Sequence, residues 1–203
     1  FAGAITALAP GRFAIAINQP PLPQGALARV ARGAGADFLG LAVDWLAIRP
    51  ERWRHRGLPP AHLLRLVCDT APDYAAALPM LRDTPLAAGA IFSLAGIKPG
   101  EAAVIERAEA SHAVIHAAPI AAAANGWQGI ANPGAPRWRY SAERHAAMAV
   151  LLAGPVPRDF GWLKPPIANE GSRLATMMSP ATGRLELLGM EGGVAVTQPL
   201  YLN

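Results

Sequence analysis

The chain has 203 residues, of which 52% are hydrophobic and 16% charged, and carries a formal net charge of +4 with a single cysteine. This composition suits one globular domain spanning residues 1–203 with a sizeable core, and it excludes a disordered chain, which lacks the apolar surface to fold. One cysteine rules out an internal disulfide and a cysteine-based metal site, and five scattered histidines without ligand spacing give no zinc motif and no expected cofactor.

Phe1 to Leu8 reads as a strand, Pro10-Gly11 as a turn, and Arg12 to Ile17 as a second strand that stops at Asn18-Gln19 before Pro20-Pro21. The resulting hairpin projects Asn18 at its far end. From Pro21 to Gly57 no period is sustained, so irregular loop is expected with a short helix near Gln24 to Ala31. The densest basic cluster lies there, with Arg49, Arg52, Arg54, Arg56 and His55 around Trp45 and Trp53. Its prolines and tryptophans favour a solvated loop docked on the body over a nucleic-acid site.

Pro59-Pro60 opens a helix with Leu63, Leu64, Val67 and Cys68 on one face. Cys68 on that stripe is a small core residue, since nothing nearby in sequence would lower its pKa. Asp73 caps a second helix, Tyr74 to Arg82, which Pro79 is expected to interrupt. Ala88 to Ala95 is an apolar strand; the longest apolar runs of the chain, such as Ala87 to Ile97, are too short and too interrupted by Gly, Pro or a charge to span a bilayer, so a soluble protein is predicted.

Gly96 to Gly100 turns into two strands centred on Val104-Ile105 and Val114-Ile115. A strip of small residues then leads to Asn125-Gly126-Trp127. An Asn-Gly pair is a common tight-turn dipeptide, and a turn is one reading; the other is that the strip delivers an amide side chain to a cleft. Ser141 is the expected N-cap of a helix whose apolar side carries Met148, Leu151 and Leu152. Arg144 falls in its first turn, where a cation opposes the helix dipole; it is either an ordinary exposed arginine or has another use. Arg173 to Met178 and Arg184 to Gly189 form a hairpin, and Val194 to Thr197 a further strand. Strands, helices, strands, helix, strands is the order of an α+β protein with antiparallel sheets layered by helices.

Four stretches carry a family resemblance: the opening Leu8-Ala-Pro-Gly-Arg-Phe-Ala-Ile-Ala-Ile-Asn-Gln19, then Pro99-Gly-Glu-Ala-Ala-Val-Ile-Glu-Arg107, then Ala124-Asn-Gly-Trp127, and Ser141-Ala-Glu-Arg144. In this order and spacing they resemble the acid ceramidase and N-acylethanolamine acid amidase group, which belongs with the choloylglycine hydrolases and penicillin V acylases among the N-terminal-nucleophile (Ntn) hydrolases. The resemblance covers nearly the whole chain, and the Thr182-Gly-Arg-Leu-Glu hairpin also fits. It implies an αββα sandwich with helices on the outer faces, a small-molecule amide substrate, autoproteolytic processing, and hydrolysis of a non-peptide carbon–nitrogen bond through a cysteine acyl-enzyme.

By that resemblance Asn125 matches an asparagine that donates to the oxyanion, Asn18 an asparagine near the same site, and Arg144 an arginine that orders the polar network. Gln19, standing where the ceramidase branch has glutamate, and Trp127 are the substrate-binding candidates. Gly126 replaces a bulkier residue and either widens the pocket or shapes the turn. The family's nucleophilic cysteine falls upstream of Phe1, so the chain is expected to be a fragment of a precursor, to work with a separate N-terminal chain, or to have lost catalysis. Acyl transfer and non-catalytic binding are the alternatives to hydrolysis. An enzyme would bring Asn18, Asn125 and Arg144 to one cleft; a binding relative would disperse them.

Overall fold

The computed structural model describes residues 3–22, 30, 34–35, 39, 42, 57–108, 111–116, 120–131, 134, 140–155, 157 and 159–202. The helix expected near Gln24 to Ala31, Val30 apart, and the arginine cluster with Trp45 and Trp53 lie outside the described residues.

Five strands, β1 (Thr6–Ala9), β2 (Phe13–Asn18), β3 (Ala90–Gly96), β4 (Ala102–Arg107) and β5 (His112–His116), form one sheet in the order β1-β2-β3-β4-β5. Every neighbouring pair is antiparallel. The second sheet is built from β6 (Leu174–Ser179), β7 (Arg184–Glu191), β8 (Val194–Ala195) and β9 (Leu200–Leu202), with β7 pairing all three others.

Alternation assigns each face of the first sheet its own task. Phe13, Ile15, Phe92, Leu94 and Ile105 face α1 (Pro60–Thr70) and α2 (Tyr74–Asp83), whose Leu63, Leu64, Val67 and Leu81 complete a core with no solvent exposure at these four positions. Fully burying one such side chain is worth about 1.5–3 kcal/mol, so this face holds the layer together. The opposite face bears the direct cross-strand row Asn18, Ile91, Glu106 and Ala113.

Two arginines tie the helices to the sheet. At the β1–β2 turn, Arg12 donates to the carbonyls of Cys68 and Ala71 at the C-terminal end of α1. Arg107 at the end of β4 donates to Leu81 O (2.6 Å) and Thr84 O (2.9 Å) at the end of α2. Both cations meet the negative ends of helix dipoles and the carbonyls that helices leave unpaired.

Some local expectations are corrected. Of the strand expected from Phe1, residues 1 and 2 lie outside the described residues and β1 is formed from Thr6; just before it, Ile5 O still accepts from Ile17 N–H at 2.9 Å, while Ala4 N–H donates to Ala61 O of α1 at 3.0 Å. Asp73 caps α2, accepting from Ala76 N–H at 2.8 Å, but Pro79 does not interrupt the helix. The bond Pro79 cannot donate would go to the carbonyl of Ala75, an exposed residue where water can serve instead. Among the described residues, no helix is long and apolar enough to cross a membrane.

Candidate active site

Residues 120–124 belong to no helix or strand, and the chain bends at Asn125 and Gly126. Gly126 lacks the positive φ of a primed hairpin turn, and a Cβ built on it meets nothing within 4 Å. The Asn-Gly pair is therefore not here to make a tight hairpin turn.

Four bonds fix Asn125 and the strip leading to it. Asn125 N–H donates to Ser141 Oγ at 3.1 Å, its Nδ2 donates to the Gln19 backbone carbonyl at 2.7 Å, and its Oδ1 accepts from Arg144 Nη2 at 2.7 Å. Asn18 Nδ2 donates to Ala123 O at 3.2 Å. The amide's orientation follows from chemistry: a guanidinium can only donate and a carbonyl can only accept, so Oδ1 must face Arg144 and Nδ2 must face Gln19.

Arg144 lies in α3 (Ser141–Leu152). Burial alone pulls its pKa below the usual arginine value. Its position against the helix dipole has a use after all, in the bond to Asn125. Ser141 is not the N-cap, which is a correction. That place is taken by Tyr140, held in the left-handed region at φ 61°, and the first helical residue Ser141 turns its hydroxyl to Asn125 instead. A non-glycine residue there is strained and marks a place to look for function.

Gln19 takes part through its backbone carbonyl, which any residue type could supply, while its side chain is exposed. Trp127 is half-buried, with its indole near Gly89: a Cβ there would sit 3.8 Å from Trp127 Cη2. Thus Asn18, Gln19, Asn125 and Arg144 share one network, and Trp127 packs beside the end of β3.

The sequence reading missed Glu106. Wholly buried on β4, its carboxylate accepts from the backbone N–H groups of Gln128 (2.6 Å), Gly129 (2.9 Å) and Ile130 (3.0 Å). The available signal was a lone acid directly after the β-branched pair Val104-Ile105.

Beyond Arg144, the same face of α3 continues through Met148, Leu151 and Leu152, at i+4, i+7 and i+8. These three line an open cavity of about 650 Å³ whose other wall includes Met177 and Met178 of β6. The cavity begins within roughly 10 Å of Arg144 along the helix axis at 1.5 Å per residue. Glu186, buried on β7 and ion-paired with Arg184 at 2.7 Å, also lines it. None of Asn18, Gln19, Asn125, Trp127 and Arg144 does. Among the described residues no group of three or more potential ligands could hold a metal ion.

The fold is Ntn-hydrolase-like, a mixed α+β arrangement of two antiparallel sheets with their helices. Among solved structures, the chain is similar to the Caenorhabditis elegans ortholog of N-acylethanolamine-hydrolyzing acid amidase, at 21% identity and a TM-score of 0.58, over 89% of this chain and 71% of that one. No protein-family model and no curated protein matches the chain.

Proposed function

We propose that this chain supplies the oxyanion-stabilising and acyl-binding part of an amidohydrolase that cleaves N-acyl amides. The observation that carries this reading is the fixed amide of Asn125. Arg144 holds its oxygen and Gln19 takes one of its two N–H bonds, leaving the second, already oriented, to donate to a substrate oxygen. A preorganised donor of this kind costs nothing to reorient as charge develops, and is worth about 3 kcal/mol in the transition state.

The chemistry follows the resemblance. A cysteine thiol, placed by the resemblance ahead of Phe1, attacks the amide carbonyl and gives its proton to its own α-amino group. The C–O π pair moves onto oxygen, where Asn125 Nδ2–H receives it. Collapse breaks the C–N bond, the ammonium returns the proton to the leaving amine, and water then hydrolyses the thioester to acid and thiol. Asn18 holds the strip before Asn125 through Ala123. Arg144 acts through Asn125 rather than on substrate. The apolar cavity on the same face of α3 takes the acyl part; its size falls within the range of small-molecule sites, and its flexible methionines suit a flexible chain.

The test uses the full-length processed gene product and a series of N-acyl amides of increasing acyl length, with amine release followed by mass spectrometry. Release of amine with a transient acyl-thioester is expected. Absence of both acylation and amine release across the series overturns the reading.

A further inference from the structure

We infer that Glu106 is a positioning residue of this site: its buried carboxylate clamps the 128–130 backbone to the sheet and thereby sets where Asn125 presents its amide. The inference rests on the reading of Asn125 as an oxyanion donor.

An ionised side chain inside a sheet is costly unless its lone pairs are met. Glu106 has no exposed surface, and three successive backbone N–H groups converge on its two oxygens at 2.6–3.0 Å. Three backbone donors turned toward one point form an anion-binding concavity, and here the anion belongs to the protein. The close approach is built in at Gly129, where a Cβ would stand 2.7 Å from the Cβ of Ala113. Only two residues separate Asn125 from the first clamped amide. At no more than about 3.6 Å per residue, little slack is left between clamp and donor.

The segment is thus held on both sides of Asn125. Upstream, Asn18 from β2 bonds Ala123 O; downstream, Glu106 from β4 holds Gln128, Gly129 and Ile130. Both anchors stand in the single row Asn18–Ile91–Glu106–Ala113. Gln128 adds a local bond from Nε2 to Ala122 O at 2.9 Å, which joins the two limbs of the bend.

The experiment compares Glu106→Gln, Glu106→Asp, Asn125→Ala and the Glu106→Gln/Asn125→Ala double variant in the full-length processed protein, by kinetics and by amide hydrogen exchange. The carboxamide keeps size but turns an NH2 toward at least one backbone donor. Faster exchange at 128–130 is expected with the sheet itself still protected, with kcat lowered roughly 10- to 100-fold and KM changed less than about twofold, as for an interaction felt in the transition state. Glu106→Asp, which keeps the charge, is expected to recover part of the rate. On the Asn125→Ala background, Glu106→Gln should cost little more, because coupled residues are not additive.

Unchanged exchange at 128–130 in a folded Glu106→Gln overturns the inference. So does faster exchange with unaltered kcat, or with a kcat loss that adds fully to that of Asn125→Ala, since the clamp would then be structural only. Near-normal turnover of Asn125→Ala sinks the reading of Asn125, and the positioning role with it, whereas the exchange data would still record the clamp; the two failures are told apart in this way.

Discussion

Arg144 Nη2 donates to Asn125 Oδ1 at 2.7 Å, and this one bond decides which end of the amide faces Gln19 and which is held back against α3. On the proposed reading, Arg144 thereby orients the oxyanion donor without itself meeting substrate.

Replacing Asn125 by Ala in the full-length processed protein is expected to lower kcat roughly 100- to 1000-fold, about 3 kcal/mol, with KM and folding nearly intact. Asn125→Asp should be at least as harmful, because an anion would face the developing negative charge. Steady-state kinetics on both variants check this; a folded Ala variant with near-normal turnover would leave Asn125 a bend residue and nothing more.

Arg144→Met removes the charge-assisted bond and frees the Asn125 amide to turn over. The expected loss is on the order of 1.5–3 kcal/mol in kcat, about 10- to 100-fold, with KM little changed. Arg144→Lys should restore only part of it, since an ammonium lacks the planar fork of the guanidinium. Equal kcat in wild type and Arg144→Met would show that Asn125 is oriented without it.

Two nearby glycines should respond oppositely to the same substitution. Gly129→Ala forces a methyl to 2.7 Å from Ala113 Cβ and is expected to destabilise by about 1–3 kcal/mol, with recovery in the Gly129→Ala/Ala113→Gly pair. Gly126→Ala points into open space and should stay within about 0.5 kcal/mol of wild type. Urea midpoints of the four proteins measure both.

Arg107→Met leaves Leu81 O and Thr84 O without their donor. Two bonds to a charged group are lost, so a destabilisation of about 3 kcal/mol or more is expected, with α2 losing hydrogen-exchange protection before the sheet does. Loss of protection first in β4, with α2 intact, would contradict it.

Burial pushes the Cys68 thiol from 9.0 up to about 11, against a smaller opposing effect of the Arg12 guanidinium. Between these values the unfolded chain releases the thiol proton while the folded one keeps it, so this group's contribution to stability is present below pH 9 and is lost as pH rises toward 11. The fall in Tm between pH 8 and pH 10.5 should therefore be shallower in Cys68→Ala. A thiol reagent at pH 7.5 should label the native protein slowly and the urea-unfolded protein fast.

The strands and helices were legible where a period repeats: Leu63, Leu64 and Val67 on α1, and the ladder of Val104-Ile105 beside Val114-Ile115, came directly from apolar spacing. Asn125, Asn18 and Arg144 were singled out by resemblance alone, and that they lie together was not visible in the spacing, because Asn18 and Asn125 are 107 positions apart and meet only through tertiary hydrogen bonds. Glu106 gave only the weak signal of an acid after a β-branched pair, because its partners are backbone amides, which every sequence has. Ser141 misled because a serine opening a helix usually caps it, whereas a left-handed Tyr140 shifts the helix start by one residue. At three residues, β9 is too short to show a period, and exists as a strand only by pairing with β7.

The row Asn18–Ile91–Glu106–Ala113 has a consequence for assembly. A slip of one residue in the pairing of β4 would swing the Glu106 carboxylate to the other side of the sheet, among Phe92, Ile15 and the leucines of α1. An unmet charge there costs several kcal/mol, far more than the near-equal ladders of two registers differ. Apolar strands rich in alanine, such as β2 and β3, would otherwise tolerate sliding. The buried acid thus proofreads the sheet: only the register that lets it find three backbone amides is one in which the chain can close.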